Sequence, residues 1–99
     1  MRSSQKYDAI ILGAGHNGLV CAGYLAKAGY KVKVLEKRNI VGGAAITEEF
    51  YPGFRNSILS FVVGLLPEHI IHEMELRKFG LRIIDRRISS FQAYDDGRH

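Results

Sequence analysis

Six consecutive residues constrain this chain more than any others: Gly13-Ala14-Gly15-His16-Asn17-Gly18, a G-x-G-x-x-G hexad directly after the apolar run Tyr7-Asp8-Ala9-Ile10-Ile11-Leu12. Each glycine at this spacing answers a steric demand. Gly13 permits a tight turn off a strand, Gly15 lets a pyrophosphate come close to the backbone, and Gly18 lets a helix pack against the strand. A helix opening there offers unpaired N–H groups and a partial positive charge to phosphates. Ala22, one turn beyond Gly18, keeps the packed face small. Glycine-rich hexads are common, and what gives this one weight is its place between a strand and a helix.

The flanking residues supply that setting. Tyr7 to Leu12 reads as a buried parallel strand. A helix is expected from about Asn17 to Ala28, stopped by Gly29 in the left-handed conformation. Val32-Lys33-Val34-Leu35 reads as the second strand. Residues 6–36 thus predict a βαβ unit with the right-handed crossover usual for such units. Glu36 closes the second strand at close to the roughly 20-residue spacing at which an acid meets the hydroxyls of an adenosine ribose. The same charge repels a 2′-phosphate and disfavours NADP; the plainer alternative is a solvated acid. Lys37, with Arg38, is placed near adenine or phosphate, or else in solvent. Gly42-Gly43 lets the backbone fold closely over a dinucleotide, which favours FAD over NAD, the alternative being a flexible surface loop.

Beyond Glu36 the punctuation changes. Gly42, Gly43, Pro52 and Gly53 make residues 38–56 mostly loop, with a short strand near Ala45 to Glu48. Residues 57–80 read as helical: an apolar stretch from Ser57 to Leu66, then a helix with Pro67 in its first turn, Glu68 near its positive end, Arg77 and Lys78 near its negative end, and Gly80 as its cap. Ile70, Ile71, Met74 and Phe79 form an apolar stripe on that helix. Residues 81–99 carry two strand candidates, Leu81 to Ile84 and Ser90 to Tyr94. Asp96-Gly97 is a hairpin-turn signal with almost nothing after it, so the expectation is a truncated domain.

Composition narrows the class. With 99 residues the chain holds one small domain at most. A net charge of +4 comes from fourteen Lys and Arg mixed with ten acids along the whole chain. No basic run is interleaved with aromatics, which argues against a nucleic-acid partner. No stretch approaches the roughly 18 apolar residues of a transmembrane segment, although the basic balance is compatible with peripheral contact with an anionic membrane. Cys21 is the single cysteine and has no internal disulfide partner. The expectation is therefore a cytoplasmic protein.

Tyr7 to Thr47, with its GAGHNGL core, Glu36-Lys37 and Gly42-Gly43, resembles the N-terminus of the phytoene dehydrogenase-related flavoproteins. That group, within the amine-oxidase-like superfamily, takes in carotenoid desaturases, carotene ketolases and the pyridine nucleotide-disulfide oxidoreductase domain-containing protein 2 type. His16-Asn17 is closer to the ketolase-like and domain-containing branch than to the desaturases. The resemblance implies noncovalent FAD, with Gly13, Ala14, Gly15, His16, Asn17 and Gly18 at the pyrophosphate, Glu36 at the ribose with Lys37 beside it, and Gly42-Gly43 folding over the cofactor. It also implies hydride transfer on a small apolar, carotenoid- or isoprenoid-like substrate. Two departures stand out: Ala44 and Ala45 follow the glycine pair where many relatives carry an arginine, and Arg55-Asn56 follows Pro52-Gly53-Phe54 where some have an acid.

Other residues carry weaker chemistry. His69 and His72 with Glu73 lack both the H-E-x-x-H spacing and a third ligand, so exposed helix positions are the simpler reading. Cys21 reads as a small packed residue. No residue is assigned to catalysis, and His16 is read as a phosphate or helix-cap contact. The fold class is α/β: a partial Rossmann-like FAD-binding βαβ unit, a helical segment and short strands. The expected function is to bind the ADP moiety of FAD in an oxidoreductase, the 99-residue chain alone being inactive and self-associating. The alternatives are an NAD-binding dehydrogenase module and a non-catalytic binding or assembly fragment.

Overall fold

The computed structural model describes residues 4–98. Its organising unit is a parallel pair, β1 (Ala9–Leu12) and β2 (Val32–Leu35), joined by helix α1 (His16–Lys27). Ala9 pairs with Val32 and Leu12 with Leu35, without a slip between. The strand begins at Ala9 instead of Tyr7 because Asp8 turns its side chain to local use, accepting from the Lys31 N–H at 2.7 Å. Alternation sorts the faces. Ala9, Ile11, Val32 and Val34 are half-buried, whereas Ile10 and Leu12 are 57% and 81% exposed. The strand expected to be buried on both faces is covered on one.

Helix α1 packs on that covered face through Gly18, where a Cβ would run into the Gly13 carbonyl and meet Ile11 Cγ2 at 3.3 Å. It ends as expected near Gly29, by a Schellman closure: the Gly29 N–H donates to the Ala26 carbonyl and the Tyr30 N–H to the Leu25 carbonyl.

The loop expected over residues 38–56 is more ordered than its glycines indicate. A single 3-10 turn (Gly43–Ala45) leads into an antiparallel hairpin of β3 (Thr47–Tyr51) and β4 (Phe54–Ser57), with an irregularity between Glu49 and Tyr51. Pro52-Gly53 supplies its corner, the residue pair that favours a type II turn. An ion pair from Arg38 to Glu48 and a hydrogen bond from the Ile58 N–H to the Ile46 carbonyl tie the hairpin to what precedes it.

Three expectations beyond the hairpin are corrected. Residues 58–66 form no helix: Val62-Val63 and Gly64 are weak helix formers, and Leu66 is pushed out of the α region by Pro67. The helix that follows, α2 (Glu68–Glu73), is only six residues long, with Pro67 as its N-cap. It closes at Glu75, whose φ of 53° puts a non-glycine residue in the left-handed position. The Leu76 N–H donates to the Ile71 carbonyl, and a second closure of the same kind follows, with Gly80 in the left-handed position and the Leu81 N–H on the Leu76 carbonyl. Ile71 is consequently buried and Ile70 and Met74 half-buried, but Phe79 leaves the expected stripe and is 84% exposed. Residues 81–98 contain no strand, so Leu81 to Ile84 and Ser90 to Tyr94 lie outside both sheets, and a turn forms before Arg98. Among the described residues the buried apolar core is Ala14, Ala22, Ile46 and Ile71.

Candidate dinucleotide site

The site is built where β1, α1 and β2 converge. Gly13 leaves β1 with φ at 97° and donates its N–H to the Leu35 carbonyl at 2.7 Å, so the turn is bonded to the end of β2. Ala14 follows, 1% exposed. Its N–H donates to Glu36 Oε2 at 2.7 Å, and its carbonyl accepts from the Gly42 N–H at 2.7 Å. Gly15 is the N-cap of α1 and therefore provides no capping side chain, and the first turn of α1 holds no acid. The positive end of the helix dipole thus meets no acid from its own first turn, which favours an anion there. His16 and Asn17 lie at this end of α1, both exposed.

The glycine pair closes on the hexad. Gly15 and Gly42 form a parallel bridge, and a Cβ on Gly43 would sit 2.8 Å from Gly15 Cα. Gly43 also has φ at 57°. Contact and conformation both demand glycine there. Gly42 is pressed from the other side, its would-be Cβ lying 2.6 Å from Ile46 Cγ2.

Gly15 differs. Its φ of −74° suits any residue, and the nearest atom to a built Cβ is Gly43 Cα at 3.8 Å. The fold does not require glycine at position 15. The open space over its backbone is a cradle that a side chain would fill, which fits the pyrophosphate of a dinucleotide.

Glu36, half-buried at the end of β2, accepts from the Ala14 N–H through Oε2 and from the Arg38 N–H through Oε1 at 3.0 Å. These bonds, that from Arg38 foremost, hold its carboxyl below the usual glutamate range. The structure thus brings together Gly13, Ala14, Gly15, Glu36, Gly42 and Gly43. Gly18 serves helix packing, and Lys37 is exposed beside the group. Three contacts lie outside the sequence reading: the Ala14 N–H and the Arg38 N–H on Glu36, and Glu48 on the Arg38 guanidinium. The last is signalled by the Pro52-Gly53 corner between two short runs, which places Glu48 on a hairpin strand.

His69 and His72 are exposed, and among the described residues no three His, Cys, Asp or Glu side chains are grouped to hold a metal ion. No described helix is long and apolar enough to cross a membrane.

A βαβ unit with a glycine turn, a free-facing helix N-terminus and an acid at the end of the second strand defines a dinucleotide-binding domain. Residues 11–79 match the NAD(P)-binding Rossmann-like domain family, and the chain belongs to it. It is 47% identical over 90 residues to pyridine nucleotide-disulfide oxidoreductase domain-containing protein 2 of Mus musculus, a match covering 91% of this chain and 16% of that protein. A limonene dehydrogenase subunit of Castellaniella defragrans is 53% identical over 55 residues, covering 56% of this chain and 10% of that protein. All-trans-retinol 13,14-reductase of Macaca fascicularis is 38% identical over 85 residues, covering 86% and 12%. The chain thus spans 16% or less of the length of these relatives. It is a dinucleotide-binding domain of an oxidoreductase family.

Proposed function

We propose that the chain binds the ADP half of FAD in an oxidoreductase that moves a hydride to or from an apolar, isoprenoid-like substrate. Gly13, Ala14, Gly15, His16, Asn17 and Gly18 receive the pyrophosphate, Glu36 takes the ribose hydroxyls with Lys37 beside it, and Gly42-Gly43 covers the cofactor. The observation that carries FAD is the closure of the glycine pair on the hexad, through the Gly42 N–H on the Ala14 carbonyl and Gly43 against Gly15. When bound, the flavin supplies the hydride chemistry. The residues of this chain hold and orient the dinucleotide, and none of them is assigned to catalysis. Limonene and retinol, in the names of two relatives, are both isoprenoids, which supports the substrate class. The 99-residue chain by itself is inactive in this reading and self-associates. Its place is the cytoplasm or a membrane periphery.

The family description favours a second reading, an NAD site. The full-length protein decides between them: purification with flavin absorbance supports FAD, and a colourless protein that binds NADH replaces it with NAD. Weak binding of NADP is expected in either case, because Glu36 repels a 2′-phosphate.

A further inference from the structure

We infer that Glu36 is a positioning residue for the phosphate loop as well as a ribose contact, and that one carboxylate couples the two ends of the nucleotide site. The inference rests on the dinucleotide reading for its ligand, but its geometry is independent of any ligand. Oε2 holds the Ala14 N–H and Oε1 holds the Arg38 N–H. The Ala14 peptide is the junction of the loop, since its carbonyl in turn holds the Gly42 N–H. The chain of contacts therefore runs from β2 through Glu36 to Ala14, and from Ala14 to the glycine pair. Ala14 is buried, so its N–H has no access to water as a replacement partner.

A carboxylate is suited to this task in a way its neutral isostere is not. Both oxygens accept, and each offers two acceptor sites. With one site on each oxygen given to a backbone N–H, one on each is left, and a ribose presents two hydroxyls. Glutamine has one oxygen and one NH2 group, so it satisfies either the Ala14 N–H or the Arg38 N–H and turns a donor toward the other. Aspartate keeps the charge and both oxygens but is shorter by one methylene, which takes it out of reach of Ala14.

The test is residue-resolved amide exchange on the full chain without nucleotide, followed by titration with ADP as the probe. In Glu36→Asp, exchange at Ala14 and Gly42 accelerates roughly tenfold or more, and in Glu36→Gln exchange accelerates at either Ala14 or Arg38, while the β1–β2 ladder and α1 keep their rates. ADP binds at least about tenfold more weakly to Glu36→Asp although the charge is retained. Protection at Ala14 and Gly42 that is unchanged in both variants, or lost uniformly across ladder and helix, overturns the inference. A wild-type chain whose Ala14 protection depends on Glu36 but which binds no ADP overturns the dinucleotide reading instead and leaves the positioning role standing.

Discussion

At the residue scale, Gly15 and Gly43 touch each other yet are glycine for opposite reasons, and substitution separates them. Gly43→Ala places a Cβ in a left-handed backbone and against Gly15, so it costs about 1–3 kcal/mol of stability. Gly15→Ala meets no such obstacle: a stiffer unfolded chain gains about 0.4–1 kcal/mol and alanine's poorer fit at the N-cap costs about as much, so thermal stability stays level. Nucleotide affinity falls in the same Gly15→Ala protein because the added methyl fills the phosphate cradle. Paired melting and binding curves check this, and a Gly15→Ala variant that melts normally and keeps full affinity shows that phosphate does not lie there. Glu36 adds a pH dependence whose sign follows from its lowered pKa. A depressed folded-state value contributes stability above the unfolded value and loses it as pH falls through the folded one. Affinity and Ala14 protection are therefore level at neutral pH and decline below about pH 4.5, the ordinary glutamate value. The Arg38 charge helps set the point of decline, and Glu36→Gln removes the transition.

Among the elements, those set by local rules are legible in the sequence and those that depend on distant pairing are not. The hexad, the Gly29 stop and the β2 alternation are each written in a few adjacent residues, and α1, β1 and β2 follow them. Glu36 and the glycine pair are legible as neighbours of the hexad too, because spacing along a βαβ unit fixes which ends meet. The hairpin is harder to read because Pro52-Gly53 serves equally as loop punctuation and as a corner between paired strands. Leu81 to Ile84 and Ser90 to Tyr94 have the composition of strands without the structure, since β-rich composition is a preference that pairing must complete. The break in α2 has no sequence signal, as Glu is a good helix former. Glu75 sits in the left-handed position at a cost of about 1 kcal/mol. Its exposed ion pair with Lys78 returns ~0.2–1 kcal/mol at most. Glu75→Gly should therefore be neutral to stabilising by up to about 1 kcal/mol, raising Tm by a few degrees. A clear drop in Tm would mean that Glu75 makes contacts worth more than its backbone strain.

At the scale of the whole molecule, the balance between core and surface is the unusual feature. The radius of gyration is 18.7 Å and the longest extent 72 Å, against about 13 Å for the radius of a compact domain of this length. The buried apolar residues are few, while Ile10, Leu12 and Leu35 lie exposed together on the uncovered side of the parallel pair. Helix α1 covers only the other side. Each strand of this two-stranded sheet also has an open edge, and the two edges are not alike. Strand β2 carries the charge of Lys33, whereas β1 carries no charged residue from Ala9 to Leu12. Uncharged open edges recruit other strands, and contiguous apolar surface of this kind is uncommon on soluble monomers. The 99-residue chain in isolation should therefore self-associate at tens of micromolar, through β1 and the face formed by Ile10, Leu12 and Leu35. Ile10→Lys combined with Leu12→Lys should return it toward the monomer, because both positions point away from α1 and leave the covered face intact. Sedimentation across a concentration series is the measurement. A wild-type chain that stays monomeric throughout would show that this surface is covered by a rearrangement within one chain, and association that persists unchanged in the double variant would move the contact to the apolar residues between Ile58 and Leu65.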